Sequence, residues 1–342
     1  MSDGKFIKEI KWTFDTGNPV IPPGRLHGKL DVNRVASASV IQCEKSYRLY
    51  YWGTGEDNKN RILMAESQIE SPNDWKSLGA VLEAQKNNEY NCVGPGFPFV
   101  MQIDEKVWFM YFCGWGRPRE DEKIPNTTGL AISEDGGITW KYQSDKPVIP
   151  CDSGYDSCGT GSVYVFRESG KFRMYYTAIS KYFNRPEGVQ TGHGDVIPFI
   201  GIGYAVSDDG INWKKPYDHW LIKPREFDTE PYEYICSKPW IVRENGAYRM
   251  WVNTFGTAYR VRSLVSNDGL SWKWVQSGEM GDMAVGEAGA FDDTQRCYAT
   301  VMKHGDQYRC WYTGNGFGVT GIGFATGHTE INTGSFRVPV II

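Results

Sequence analysis

The chain has 342 residues, enough for a large core or for two ordinary domains. It is 40% hydrophobic and 23% charged, ordinary globular values, and its net charge of -4 gives no support to nucleic acid or an anionic membrane as partner. Fourteen per cent aromatic residues with 39 glycines favour an all-β protein of short strands and many turns over a helical one.

Met1 to Lys11 contains no apolar stretch of the secretory kind, and no run approaches a membrane span, so a cytoplasmic location is expected. The eight cysteines show no C-x-x-C pair and no zinc spacing, which fits reduced, partly buried thiols. The first structural segment is Trp12-Thr13-Phe14-Asp15, followed by Asn18-Pro19-Val20-Ile21-Pro22. A near copy, Lys146-Pro147-Val148-Ile149-Pro150, recurs later at the end of a repeat. The N-terminus, near Asn18 to Pro22, therefore reads as the last strand of a repeat whose other three strands lie at the far end of the chain.

Five repeats follow, marked by short aromatic stretches that suit buried strands. These are Tyr47-Arg48-Leu49-Tyr50-Tyr51, Val107-Trp108-Phe109-Met110-Tyr111, Phe172-Arg173-Met174-Tyr175-Tyr176, Tyr248-Arg249-Met250-Trp251-Val252 and Tyr308-Arg309-Cys310-Trp311-Tyr312. Each is preceded by a strand: Val35 to Gln42, Gly96 to Met101, Thr160 to Phe166, Ser237 to Arg243 and Cys297 to Met302. A polar turn such as Ser169-Gly170 joins the two. A third strand follows, as in Gly201-Ile202-Gly203-Tyr204-Ala205, then a turn that ends in tryptophan, as in Ser207-Asp208-Asp209-Gly210-Ile211-Asn212-Trp213. Five four-stranded antiparallel units of roughly 65 residues predict one domain over 1–342, a five-bladed β-propeller closed by the N-terminal strand. Closure removes two sheet edges that would otherwise invite aggregation.

Alternating strand direction puts the Asp-Gly turns on one face of the ring and the second-to-third loops on the other. The turns then read as structural, with Asp capping backbone N–H groups and Trp packing between blades. The opposite face carries the two longest insertions, 114–127 and 180–198, with Trp115, Arg117, Arg119, Tyr182, Phe183, Arg185 and His193. Aromatic rings and cations there suit a carbohydrate ligand. Just before the first strands stand Asp31, Asp156, Glu233 and the pair Asp292-Asp293, in four of the five repeats. Taken singly, each also reads as a loop-capping carboxylate. Together around one axis they offer the pair of acids that glycoside cleavage requires. Arg34, Lys238 and Arg296 are cations at similar points, placed to balance that charge or to bind an anion.

The five blades, the Tyr-Arg-Met-Tyr-Tyr and Gly-Ile-Gly-Tyr-Ala strands and the Ser-x-Asp-Gly-x-x-Trp turns resemble the five-bladed arabinanase/levansucrase/invertase superfamily, glycoside hydrolase families 32, 43, 62, 68, 117 and 130, over roughly residues 12 to 326. The resemblance implies a glycoside hydrolase acting on a small or terminal sugar in an axial pocket. The family 43 set it implies is an aspartate base in the first blade, which Asp31 matches by position, and a glutamate acid in the third, where this chain has Asp156 with Glu233 one blade later. Read by position before the first strands, Glu233 is expected as general acid, Asp31 as base and Asp156 as orienting acid, with Arg34, Trp115, His193, Lys238, Asp292 and Arg296 holding substrate. No Asp stands between Glu89 and Gly96, where family 43 places its second acid. That departure keeps open a sugar-binding protein without turnover, a phosphate-dependent phosphorylase and a sialidase-like hydrolase. The superfamily allows a calcium or similar ion on the axis, although no ligand cluster in the sequence demands one.

Overall fold

The computed structural model describes residues 9–118, 125–152, 154–187, 195–225, 233–244 and 246–329. The protein is all-β. Strand β1, Ile10–Phe14, is followed by an antiparallel meander of β2 (Arg34–Gln42), β3 (Ser46–Thr54), β4 (Asn60–Gln68) and β5 (Lys76–Glu83). A second meander comprises β6 (Gly94–Gln102), β7 (Trp108–Trp115), β8 (Asn126–Ser133) and the short β9 (Lys141–Tyr142). The third has β10 (Gly159–Glu168), β11 (Lys171–Asn184) and β12 (Val196–Ser207). Its outer partner is reduced to two bridges, Lys214 to Val206 and Ile222 to Ile202. The fourth comprises β13 (Ile235–Glu244), β14 (Ala247–Phe255), β15 (Tyr259–Ser266) and β16 (Lys273–Trp274). The last has β17 (Cys297–His304), β18 (Gln307–Thr313) and β19 (Ile322–Thr329), and its fourth strand is β1.

The expected N-terminal pairing occurs one segment earlier than the repeat suggested. β1 pairs antiparallel with β19, from Ile10 opposite Thr329 to Phe14 opposite Ala325. The stretch from Asn18 to Pro22 contributes only the bridge Ile21 to Ile322. The prolines at 19 and 22 explain this, since neither can donate to a ladder. Asn18 substitutes with its side chain, donating from Nδ2 to the Phe324 carbonyl and accepting the Phe324 N–H at Oδ1. Ile149, in the near copy, makes the matching bridge to Thr128.

Register also corrects the second aromatic stretch by one residue. Tyr50, Tyr111 and Tyr175 each donate a hydroxyl hydrogen to a glycine carbonyl in the next meander: Gly137, Gly210 and Gly269. The equivalent of Tyr51 and Tyr176 is therefore Phe112, and the repeat begins at Trp108. The accepting glycines lie in the Asp-Gly turns. There Asp135, Asp209 and Asp268 accept backbone N–H groups at Oδ1, and Trp140, Trp213 and Trp272 donate to the glycine carbonyls. These turns hold neighbouring sheets together, as their composition predicts.

The first strands pack in cyclic order: β2 on β6, β6 on β10, β10 on β13, β13 on β17, and β17 back on β2. Each carries a β-bulge at the same place, after Ala36, Gly96, Thr160, Ser237 and Cys297. Ser37, Phe97, Lys238 and Tyr298 consequently have positive φ, a conformation that persists only where the surroundings enforce it. The surroundings are the preceding sheet: the N–H groups of Ser37, Lys238 and Tyr298 donate to Thr313 Oγ1, Thr177 Oγ1 and Asn253 Oδ1 at 3.0, 2.9 and 2.8 Å. Gly161 is the fifth member of this ring of positions.

Candidate functional site

The acids before the first strands are buried, and each is held by donors of its own repeat. Asp31 Oδ2 accepts from the Tyr51 hydroxyl at 2.7 Å, with His27 Nδ1 3.7 Å away. Asp156 Oδ2 accepts from the Tyr176 hydroxyl at 2.9 Å and from Lys215 Nζ at 2.6 Å, while Oδ1 takes the Asp152 N–H. Asp292 Oδ2 accepts from the Tyr312 hydroxyl at 2.8 Å and from Arg296 Nε at 2.6 Å. In all three the tyrosine lies twenty residues after the acid and on the second strand. Burial, reinforced by the neighbouring carboxylate, pushes the hydroxyls of Tyr51 and Tyr176 well above their ordinary range, so they remain donors.

Where the tyrosine is missing, the acid changes too. The second meander has Phe112, and the residue in place of the acid is the buried Asn91. The fourth has Val252, and Glu233 finds other donors: Arg225 at 2.6 and 2.7 Å, Arg262 Nε at 3.0 Å and Thr254 Oγ1 at 2.9 Å. Glycines on the third strands belong to the same arrangement. A Cβ at Gly129, Gly203 or Gly323 would collide with the ring of Phe112, Tyr176 or Tyr312.

The remaining site residues expected from the sequence are placed as follows. Both oxygens of Glu233 accept from guanidinium groups, Oε2 from Arg225 and Oε1 from Arg225 and Arg262. Asp31 and Asp156 show no exposed surface, and their working oxygen faces a tyrosine. Arg296, expected to bind substrate, closes on Asp292 with its guanidinium 3.5 Å from the centroid of Phe14. His193 and Arg119 lie outside the described residues. Among the described residues no group of three or more His, Cys, Asp or Glu is placed to hold a metal ion.

Two expected ligand contacts do come together. Arg34 begins β2 and Trp115 ends β7, so both stand at the end of the ring where first strands start. Trp52 lies between them. The Arg34 guanidinium is 5.0 Å over the Trp52 ring, and Trp52 meets Trp115 edge to face at 4.7 Å. Phe97 touches both tryptophans and reaches Tyr298 at 4.9 Å; Tyr298 stacks on Phe317 at 6.2 Å. Trp115 Nε1 donates to Asn126 Oδ1 at 2.6 Å, and Trp52 Nε1 to Asn60 Oδ1 at 2.9 Å, so the rings are fixed in place. Arg34, Phe97, Trp115 and Phe317 remain partly exposed. The Arg34 Nε is buried with no hydrogen-bond partner among the described residues, and burial lowers the group from its usual range. The result is an aromatic floor at one end of the axis with an unsatisfied guanidinium donor beside it. Of its members the sequence reading had found Arg34 and Trp115 but not Trp52, Phe97, Tyr298 or Phe317. Alignment of the five first strands would have exposed Phe97 and Tyr298, since both occupy the bulge position. A separate cavity of ≈ 960 Å³ lies off this end, between Trp220 and Arg225 of the third meander and Arg262, Trp272 and Trp274 of the fourth.

Comparison with known proteins fits this architecture. No family model matches the chain. The uncharacterized protein Rv1502 of Mycobacterium tuberculosis (strain ATCC 25618 / H37Rv) is 28% identical over 288 residues, 82% of this chain and 87% of that protein. Among solved structures, one described as a glycoside hydrolase superposes with a TM-score of 0.68 at 18% identity, covering 94% of this chain and 96% of that one. Another, from work reporting that the GH130 family of mannoside phosphorylases contains glycoside hydrolases that target β-1,2 mannosidic linkages in Candida mannan, gives 0.63 at 14% identity and 95% of each chain. At these identities the likeness establishes the fold alone, one shared with solved structures described as glycoside hydrolases.

Proposed function

We propose that the chain is a carbohydrate-active protein, a single five-bladed β-propeller over 1–342 that takes a small or terminal sugar at the aromatic end of its axis. The observation that carries this reading is the floor of Trp52, Phe97 and Trp115 beside Arg34. A sugar presents apolar C–H faces that suit aromatic rings and hydroxyls that suit a free guanidinium donor. Trp115 and Phe97 give stacking surface, and Arg34 Nε accepts no other duty. The likeness to propeller-type glycoside hydrolases favours hydrolysis of a terminal glycoside, by carboxylate acid/base chemistry from the loops at this same end.

A second reading, a sugar-binding protein without turnover, is favoured by one observation. Asp31, Asp156, Glu233 and Asp292 all accept hydrogen bonds from buried or half-buried donors of their own repeats. Aryl glycosides and oligosaccharides, assayed with and without phosphate, separate the readings. Release of sugar without phosphate supports hydrolysis. Strict phosphate dependence would make the protein a phosphorylase, and saturable binding without product would support the second reading. Failure of every sugar to bind would remove both.

A further inference from the structure

The cavity of ≈ 960 Å³ between the third and fourth meanders has no part in the axial site. It lies where two outer strands are cut short: the third meander has only the bridges of Lys214 and Ile222, and β16 has two residues. One wall is Trp220, Leu221 and Ile222, and the other is Trp272, Trp274 and Val275. Two of the three indoles are already fixed. Trp220 Nε1 donates to the Tyr155 carbonyl at 2.9 Å, and Trp272 Nε1 to the Gly269 carbonyl at 3.0 Å, so what these rings offer the cleft is apolar. Trp272 and Trp274 pack in part against the cluster that contains Tyr175, Ile202 and Ile222, and both remain half-exposed. Among the described residues Trp274 Nε1, Lys223 Nζ and the Gln276 amide have no hydrogen-bond partner, and Lys223 and Gln276 are exposed at the cleft.

Glu233 ties the two walls together. Arg225 reaches it from one side at 2.6 and 2.7 Å, and Arg262 from the other at 3.0 Å. Arg262 also donates to Ser277 Oγ and to the Gly278 and Glu279 carbonyls, which holds the rim of the second wall. The cleft is therefore preformed, and its arginines are engaged within the chain. Lys223 and Glu279, also lining it, are opposite in sign, so the cleft does not select a strongly charged ligand. Its volume lies at the upper end of the roughly 300–1,000 Å³ of small-molecule sites, which suits a short run of sugar units more than a single one. Apolar indole surface beside separate N–H donors is what the C–H faces and hydroxyls of a sugar require. We propose that this cleft is a second carbohydrate site, holding inner units of a neutral polysaccharide, stacked on Trp274 and hydrogen-bonded by Gln276. The inference rests on the reading of the chain as carbohydrate-active, but it uses none of the residues of the axial floor.

Native electrophoresis of the full chain through gels that contain mannan, arabinan, xylan or galactan tests this, with binding read as retardation. At least one of the four should slow the wild type. Trp274→Ala should weaken that binding about tenfold. Gln276→Ala, at an exposed position that folding does not depend on, should weaken it about threefold and serves if the tryptophan variant does not fold. Trp115→Ala, which damages only the axial floor, should retain retardation by the cleft. That pattern supports the cleft even if the axial reading fails. Retardation lost in Trp115→Ala and kept in Trp274→Ala would give the polysaccharide to the axial end and overturn the proposal. Equal retardation of the wild type, Trp274→Ala and Gln276→Ala would overturn it too, as would free passage of the wild type through all four gels.

Discussion

Removal of the Tyr176 hydroxyl isolates what a buried acid contributes to the sheets. In Tyr176→Phe, Asp156 keeps Lys215 and the Asp152 N–H but loses its third donor. The expected cost is about 1–3 kcal/mol in urea unfolding, the range for a buried polar group stripped of a partner. The second meander already contains the combination Phe112 with Asn91. Adding Asp156→Asn should therefore recover part of the loss, with a coupling of about 0.5–3 kcal/mol. Strict additivity of the two changes would contradict the latch. Lys238 gives a second residue-scale prediction. Burial lowers its ammonium from 10.5 to about 7. Between those values the unfolded chain holds more protons than the folded one, so stability rises with pH across this window. The wild type should gain stability from about pH 7 to 10 relative to Lys238→Met. A parallel pair of pH profiles would contradict a buried, unpaired Lys238.

At the scale of elements, β1 is the fourth strand of the sheet that contains β17, β18 and β19. Deleting residues 1–24 removes that strand, the Ile21 bridge and the Asn18 side-chain pairing with Phe324. The exposed β19 edge should lower Tm and bring concentration-dependent self-association, measurable by calorimetry and light scattering. A truncated chain that melts at the full-length temperature and stays monodisperse would show that β1 is dispensable. First strands were legible in the sequence because the aromatic second strand and its polar turn mark them from one side. The expected Val35 to Gln42 and Cys297 to Met302, for example, are found as Arg34–Gln42 and Cys297–His304. The closing strand was misplaced because Val-Ile-Pro repeats visibly in the sequence, whereas the ladder needs N–H donors that its prolines lack. The second repeat was set one residue early because Val107 and Trp108 are both apolar, and only the tyrosine-to-glycine contacts fix the register.

For the whole molecule, periodicity revealed the architecture more readily than the site. An acid before a first strand looks the same in sequence whether it is open to a ligand or held by the chain's own donors. The deciding signal was the tyrosine twenty residues later, present for Asp31, Asp156 and Asp292. Its companion was the loss of both acid and tyrosine in the second meander. The aromatic floor was harder to see because its members come from distant stretches, including Trp52, Phe97, Tyr298 and Phe317, and meet only when the first strands pack in a circle. If that floor is the sugar site, Trp115→Ala should weaken sugar binding about tenfold, equivalent to about 1.4 kcal/mol, with little change in Tm. Equal affinities would remove Trp115 from the site. The most direct test is a crystal soaked with a mixture of mono- and oligosaccharides. The account predicts sugar density stacked on Trp115 or Phe97 within hydrogen-bond reach of Arg34. Density confined to the cleft between Trp220 and Trp274, with the axial end free of sugar, would contradict it.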